Sequence, residues 1–532
     1  MNIPQQLKRV LEQASAGRFS EAAADCLEIL RQDPSNVSAM EIYGDLAMDM
    51  GKLSDAILIF QKLLEVAPQH CVAHERLAYI FGESGDFPAA LLHAQHALRL
   101  SPDSLAAHSV LGNIYLSQRK EEEALEQFAR ARALAPGNIA VEGAYVDALM
   151  DTGQFDRATD VLRELIASQP VTASLLKSLA MTRKWQSGDP DEVLIRALLD
   201  DTGSLRPDIA VEPAQARAAY MALFKLESDL GDMDSAFEYL LKAKALRKGI
   251  VSFDVDKQRR SYLEIKSLFD MDFLTRMRGL GSDLEDPIFV VGMPRSGTTL
   301  LERVLSTSPN IAPAGELLIV GRLRDEACAH FGVNQYDYES LRKIPGDAWK
   351  ELGEEYVRRA RLRLPSVRHF VDKLPHNFLN LGFIKLMLPR ARIIHISRHP
   401  VANCLSIFEQ DFAAAHPYSD DLATLGQAYL LYRDMMDHWR GIFGEDIVDI
   451  SYESLVSDIA GTVEVLNRKL GLDLEPDRLN DTQQEGNIRT ASRWQARQAI
   501  NTGSVDRWRK LGNKLQPLLE KLDPVLAPGD LE

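Results

Sequence analysis

The chain has 532 residues, 45% of them hydrophobic, and a formal charge of -16. That length exceeds what one hydrophobic core usually organises, so two or more domains are expected. The acidic balance excludes a general nucleic-acid binder, because phosphate-backbone affinity needs Lys and Arg clustered over a broad face; an anionic ligand must be held by a local site.

Cys26, Cys71, Cys328 and Cys404 lie far apart without a CxxC pair, which suggests ordinary reduced thiols and no metal site. The N-terminal run MNIPQQLKRVLEQ has no uninterrupted apolar core, and no stretch reaches the ~18 consecutive apolar residues of a membrane span. These features predict a cytoplasmic protein.

The first elements in chain order form a repeat of period 34, marked by Pro34, Pro68, Pro102, Pro136 and Pro170 and by Ala22, Ala56, Ala90, Ala124 and Ala158. Gly17, Gly51, Gly85 and Gly153 keep the same period at the turn between two helices, with Arg119 in the fourth unit's slot. The fourth unit carries Leu111, Gly112 and Tyr115 on its first helix, then Ala124, Phe128 and Ala131 on its second, then Pro136. This pattern resembles the tetratricopeptide repeat, an all-α superhelix of stacked helix pairs whose concave face generally recruits a peptide or protein.

The ladder of five units covers 1–170 and then breaks. Residues 171–250 read as a divergent helical cap, with an irregular KWQSGDPDE stretch and a late echo of the repeat at Gly231, Ala236 and Ala243. Residues 251–285 read as linker helices, and 286–532 as an α/β domain with a parallel sheet.

That domain opens on PIFVVGMPRSGTTL, a strand, loop and helix start whose N–H groups and dipole favour an anion. Ser296, Thr298 and Thr299 add hydroxyl donors. A P-loop NTPase would need GxxxxGK, and here the lysine is missing and Arg295 precedes Ser-Gly. The later strand ARIIHISRHP ends in Arg398 where an NTPase would place a magnesium-binding Asp.

GMPRSGTT, followed by SRHP and NCLSIF, resembles the sulfotransferase family. The runs PAGELL and VDKLPHNF bring the resemblance nearest to its tyrosylprotein-sulfotransferase-like branch.

The resemblance implies a P-loop-like fold, 3′-phosphoadenosine 5′-phosphosulfate (PAPS) as donor and no metal. It assigns Arg295, Ser296, Gly297, Thr298 and Thr299 to the 5′-phosphosulfate, and Arg398 and Ser406 to the 3′-phosphate. Glu316 corresponds to the general base, with His376 the second choice, and Lys373 to a lysine that neutralises the leaving oxygen.

Near the C-terminus, Arg489, Arg493, Arg497, Arg507, Arg509 and Lys510 form a local anion funnel. The tyrosine-specific branch would have a lysine near Gln498, and Arg497 is the expected substitute. The expected activity is sulfuryl transfer to a peptide or protein tyrosine recruited by the repeats. A carbohydrate or small-molecule hydroxyl is the alternative acceptor; a kinase or a non-catalytic interaction protein is less favoured.

Overall fold

The computed structural model describes residues 2–118, 120–247, 253–333, 338–362, 364, 366–412, 416–479, 503, 505–528 and 530. They fall into two compact units, Met1–Leu149 and Met150–Glu532.

The first unit is a run of antiparallel helices: Ile3–Ser15, Phe19–Gln32, Val37–Asp49, Leu53–Val66, Cys71–Ser84, Phe87–Leu100, Leu105–Ser117, Glu121–Leu134 and Ile139–Asp151. Each proline follows directly on the residue that closes a second helix, at Asp33, Ala67, Ser101 and Ala135. Proline cannot continue the helix and biases its predecessor away from the α region. Ala22, Ala56, Ala90 and Ala124 are fully buried, and Phe60 and Phe128 fill the space over Gly44 and Gly112. A Cβ on those glycines would approach the rings to 2.4 and 2.6 Å, so the small residue is what lets the paired helices close.

A second ladder runs through the helix starts. Asn36, His70, Ser104 and Asn138, spaced by 34, each accept a hydrogen bond from the backbone N–H three residues on. Three different residue types do the same capping work, since each offers an acceptor at the right reach.

The second unit begins with helix Phe155–Ser168 and continues through Ala173–Met181, Pro213–Leu230 and Met233–Ala245. Trp185, from the irregular KWQSGDPDE stretch, is buried among these helices and donates its indole N–H to Ala180 O.

The rest of the unit surrounds a five-stranded parallel sheet: β1 (Pro287–Gly292), β2 (Ile311–Gly315), β3 (His369–Asp372), β4 (Arg392–Ser397) and β5 (Ile447–Ser451). The order is β2-β3-β1-β4-β5. Along β1 the side chains alternate between two cores, Phe289 and Val291 on one face, Ile288 and Val290 on the other. Both faces are therefore covered, as a parallel sheet requires.

The larger core also takes in Met221, Phe224, Phe237, Leu240 and Ala243, so the helices before the sheet belong to the same packed body. Among the described residues, no helix is long and apolar enough to cross a membrane.

Candidate functional site

Because all five strands are parallel, their carboxyl ends share one edge. The chain goes to one side of β1 for β2 and β3 and to the other for β4 and β5. That reversal opens a crevice at the end of β1, the usual ligand position in such sheets. The predicted site residues follow the strand ends: the 293–297 loop after β1, Glu316 after β2, Lys373 after β3 and Arg398 after β4.

The loop after β1 is bent at two positive-φ positions, Arg295 at 66° and Gly297 at 105°. A Cβ at Gly297 would lie 2.5 Å from the Tyr452 ring, so conformation and close approach both demand glycine. Thr298 and Thr299 then start helix Thr298–Leu305. Asn403, from the helix after β4, donates 2.9 Å to Pro294 O and ties the loop down.

Ser296 is 1% exposed, and its Oγ has no hydrogen-bond partner among the described residues. A buried hydroxyl in that state is free to donate to a bound anion.

Arg295, Arg398 and Ser406 come together. Arg295 Nε donates 3.2 Å to Ser406 Oγ, and Arg398 Nη1 lies 3.4 Å from Arg295 O. Burial, reinforced by the Arg398 charge, pulls Arg295 down to about 10, and burial also lowers Arg398. Two cations enclosed side by side gain most from a multiply charged anion.

On the β2–β3 side, Lys373 is 1% exposed and donates 2.7 Å to Glu316 Oε1, while the Glu316 side chain is 42% exposed. The intervening backbone is fixed from two directions. Glu302 accepts a 2.9 Å bond from Gly315 N, and Lys373 N donates 2.8 Å to Gly315 O. Helix Ile319–His330 begins three residues beyond Glu316, whose carboxylate is thus turned to Lys373 and is not the helix cap.

His376 follows Lys373 by three residues. Its Nε2 is 3.1 Å from the Tyr418 hydroxyl and its ring stacks on His416 at 5.1 Å. Burial and the His416 charge lower it to about 4. Burial lowers His416 as well, against the opposing pull of the negative Glu316.

Several contributors had no signal of their own in the sequence. Tyr452, at the end of β5, packs on Gly297 and carries the Arg398 guanidinium over its ring at 4.6 Å. Glu453 accepts a 2.9 Å bond from His399 N, which starts the helix bearing Ser406. From the C-terminal basic run, Arg507 pairs with Glu409 and Trp508 stacks on His399 at 5.0 Å. Arg489, Arg493 and Arg497 lie outside the described residues. The described residues hold no cluster of acids, histidines and cysteines fit to bind a metal.

Residues 287–476 match the sulfotransferase family, and residues 7–70, 76–139 and 116–181 match tetratricopeptide repeats. A protein of Aquifex aeolicus (strain VF5), named only "Uncharacterized protein", is 29% identical over 385 residues, 71% of this chain and 49% of that one. The chain thus spans about half the length of that relative.

A Caenorhabditis briggsae protein named "Putative protein-tyrosine sulfotransferase" is 23% identical over 257 residues, 46% of this chain and 87% of that one. Similar solved structures include MamA of Desulfovibrio magneticus RS-1, with TM-score 0.29 and 19% identity over 32% of this chain and 97% of MamA. Another is a thermophilic tetratricopeptide-repeat protein of Thermus thermophilus, with TM-score 0.30 and 17% identity over 34% of this chain and 97% of that one. The chain thus carries tetratricopeptide repeats within residues 7–181 and a sulfotransferase-family domain over residues 287–476.

Proposed function

We propose that the protein transfers a sulfuryl group from PAPS to a phenolic hydroxyl, that of a peptide or protein tyrosine recruited by the repeat helices. The carrying observation is the convergence of Arg295, Arg398 and Ser406 beside a loop whose buried Ser296 Oγ is unpartnered. In this reading Ser296, Gly297, Thr298 and Thr299 hold the 5′-phosphosulfate with Arg295, while Arg398 and Ser406 hold the 3′-phosphate.

The acceptor oxygen attacks sulfur, the bond from sulfur to the bridging phosphate oxygen breaks, and adenosine 3′,5′-bisphosphate leaves. Glu316 takes the acceptor proton. The Glu316 carboxylate accepts a 2.7 Å bond from Lys373, so Lys373 must first be drawn to the bridging oxygen, where it neutralises the charge that develops. A phenol, with a pKa of about 10, suits a carboxylate base better than an alkyl hydroxyl does.

The test is ligand discrimination by thermal shift. Adenosine 3′,5′-bisphosphate should stabilise the protein more than adenosine 5′-phosphate or Mg-ATP. Arg398→Ala should erase the advantage of the bisphosphate and leave the monophosphate response nearly unchanged. Equal losses for both nucleotides would assign Arg398 to the fold or to the 5′ side.

A further inference from the structure

His416, which feels the Glu316 charge, and Tyr418, which is hydrogen-bonded to His416, sit on the segment that joins helix Pro400–Phe408 to helix Leu422–Phe443. Of its described parts, residues 409–412 run without regular structure and residues 416–420 hold one short 3-10 turn, Pro417–Asp420. Both parts are gripped by basic residues of the helices that precede the sheet.

Lys244, 2% exposed, donates 2.8 Å to Gln410 O, 3.1 Å to Ser419 O and 3.1 Å to Asp420 Oδ1. Arg247 bonds Phe412 O and pairs with Asp420 at 3.2 Å. Lys177, at 2.8 Å, and Arg217 pair with Asp411. One buried ammonium thus bridges the two ends of the segment, and its ring contact with Phe408 at 5.3 Å reaches the end of the helix that carries Ser406.

Burying a lysine is costly unless all its donors are used, and here all three are. A solvated helical cap would need none of this. Tyr418 connects the grip to the site, because its hydroxyl lies 3.1 Å from both His376 Nε2 and His416 Nδ1.

We infer that Lys244, supported by Arg247, is a positioning residue for transfer: it holds residues 409–412 and 416–420 so that His416 and Tyr418 wall the acceptor side of Glu316 and Lys373. The inference rests on the reading of Glu316 and Lys373 as the transfer pair. It makes the helices of residues 173–247 part of the catalytic body, with a role separate from recruitment. The donor side has ties of its own, the Asn403 bond to Pro294 O and Tyr452 against Gly297.

The full chain and its Lys244→Met variant are compared in three measurements: affinity for adenosine 3′,5′-bisphosphate, turnover of PAPS with 4-nitrophenol as a small acceptor, and carbethoxylation of His376 and His416 by diethyl pyrocarbonate, read by peptide mass. Bisphosphate affinity and the KM for PAPS should stay within about twofold, kcat should fall by about tenfold or more, and both histidines should react several-fold faster. A folded variant with unchanged kcat and histidine reactivity would overturn the inference. So would a loss of bisphosphate affinity that accounts for the whole loss of turnover.

If Lys244→Met does not fold, Arg247→Met removes one charge from Asp420 and the bond to Phe412 O, and the same outcomes decide. If the native chain transfers nothing from PAPS, the transfer reading fails, while the histidine reactivities still judge the grip.

Discussion

Glu316 and His376 compete for the role of base, and their surroundings separate them. His376 is lowered to about 4 by burial and the neighbouring His416, and its Nε2 is engaged by Tyr418. A histidine in that state is neutral at physiological pH and weakly basic. Glu316 is 42% exposed and, among the described residues, is held by Lys373. In single-turnover experiments Glu316→Gln should therefore cost roughly 10²–10⁴ in rate with donor binding largely kept. His376→Asn should cost far less, and the reverse ranking would move the base to His376.

Next to Lys373, Asp372 is fully buried, and burial raises it to about 7 although the Tyr356 hydroxyl donates 2.7 Å to it. The folded state holds this proton more tightly than the unfolded chain does, so stability falls as pH rises from about 4 to 7 and is flat above. Asp372→Asn removes the cost of ionisation and keeps the shape. Its melting temperature should match the native protein's near pH 4 and exceed it increasingly up to pH 7; a constant offset across that range would assign the effect to packing.

At this scale the strand-end residues were legible because each closes a short apolar run on a motif. Tyr452 and Glu453 were not, since their approach to Gly297 and His399 follows from the β2-β3-β1-β4-β5 order, which no local pattern encodes.

Helices of the repeat array owe their register to residues that recur every 34 positions, and the proline and alanine ladders were legible for that reason. The capping ladder was not, because Asn36, His70, Ser104 and Asn138 share a role without sharing a type.

One pair of equivalent positions shows what such variation does. His108 Nδ1 lies 2.8 Å from Gln127 Oε1, and one repeat earlier His74 Nδ1 lies 2.9 Å from His93 Nδ1, with His96 stacked on His74 at 5.0 Å. Two imidazole nitrogens at that distance share one proton, so both rings cannot be charged there. Burial lowers His74 and brings His93 down to about 4.

The unfolded chain thus binds more protons than the folded one between about pH 6.5 and 4, and stability is lost as pH falls through that window. Amide exchange in helices Cys71–Ser84 and Phe87–Leu100 should quicken over the same range relative to the other repeats. His93→Gln, which copies the next repeat's partner, should remove most of that excess. Equal acid sensitivity in the variant would place its origin elsewhere.

For the whole molecule, the period and the packing divide the chain at different places. The sequence ladder runs to Pro170, whereas the compact units part at Leu149 and Met150. The sequence could show where the repeat pattern stops, but not that the irregular helices after it share a core with the sheet.

Two truncations separate the roles of these segments. A chain lacking residues 1–149 keeps Lys177, Arg217, Lys244 and Arg247, and should retain affinity for adenosine 3′,5′-bisphosphate and transfer to a small phenol. If the repeats recruit the acceptor, the same chain should lose transfer to the native macromolecule, because stacked helices add binding surface and no chemistry.

A chain lacking residues 1–250 has a different fate. It strips Phe224, Phe237, Leu240 and Ala243 from the large core, and it leaves Asp411 and Asp420 without the cations that now pair with them. Exposed apolar surface combined with uncompensated carboxylates should make it aggregate or melt well below the longer truncation. Melting curves and light scattering of the two chains, each with and without bisphosphate, decide the matter. A shorter chain as stable and as active on the small phenol as the longer one would show that the helices of residues 173–247 serve recruitment alone.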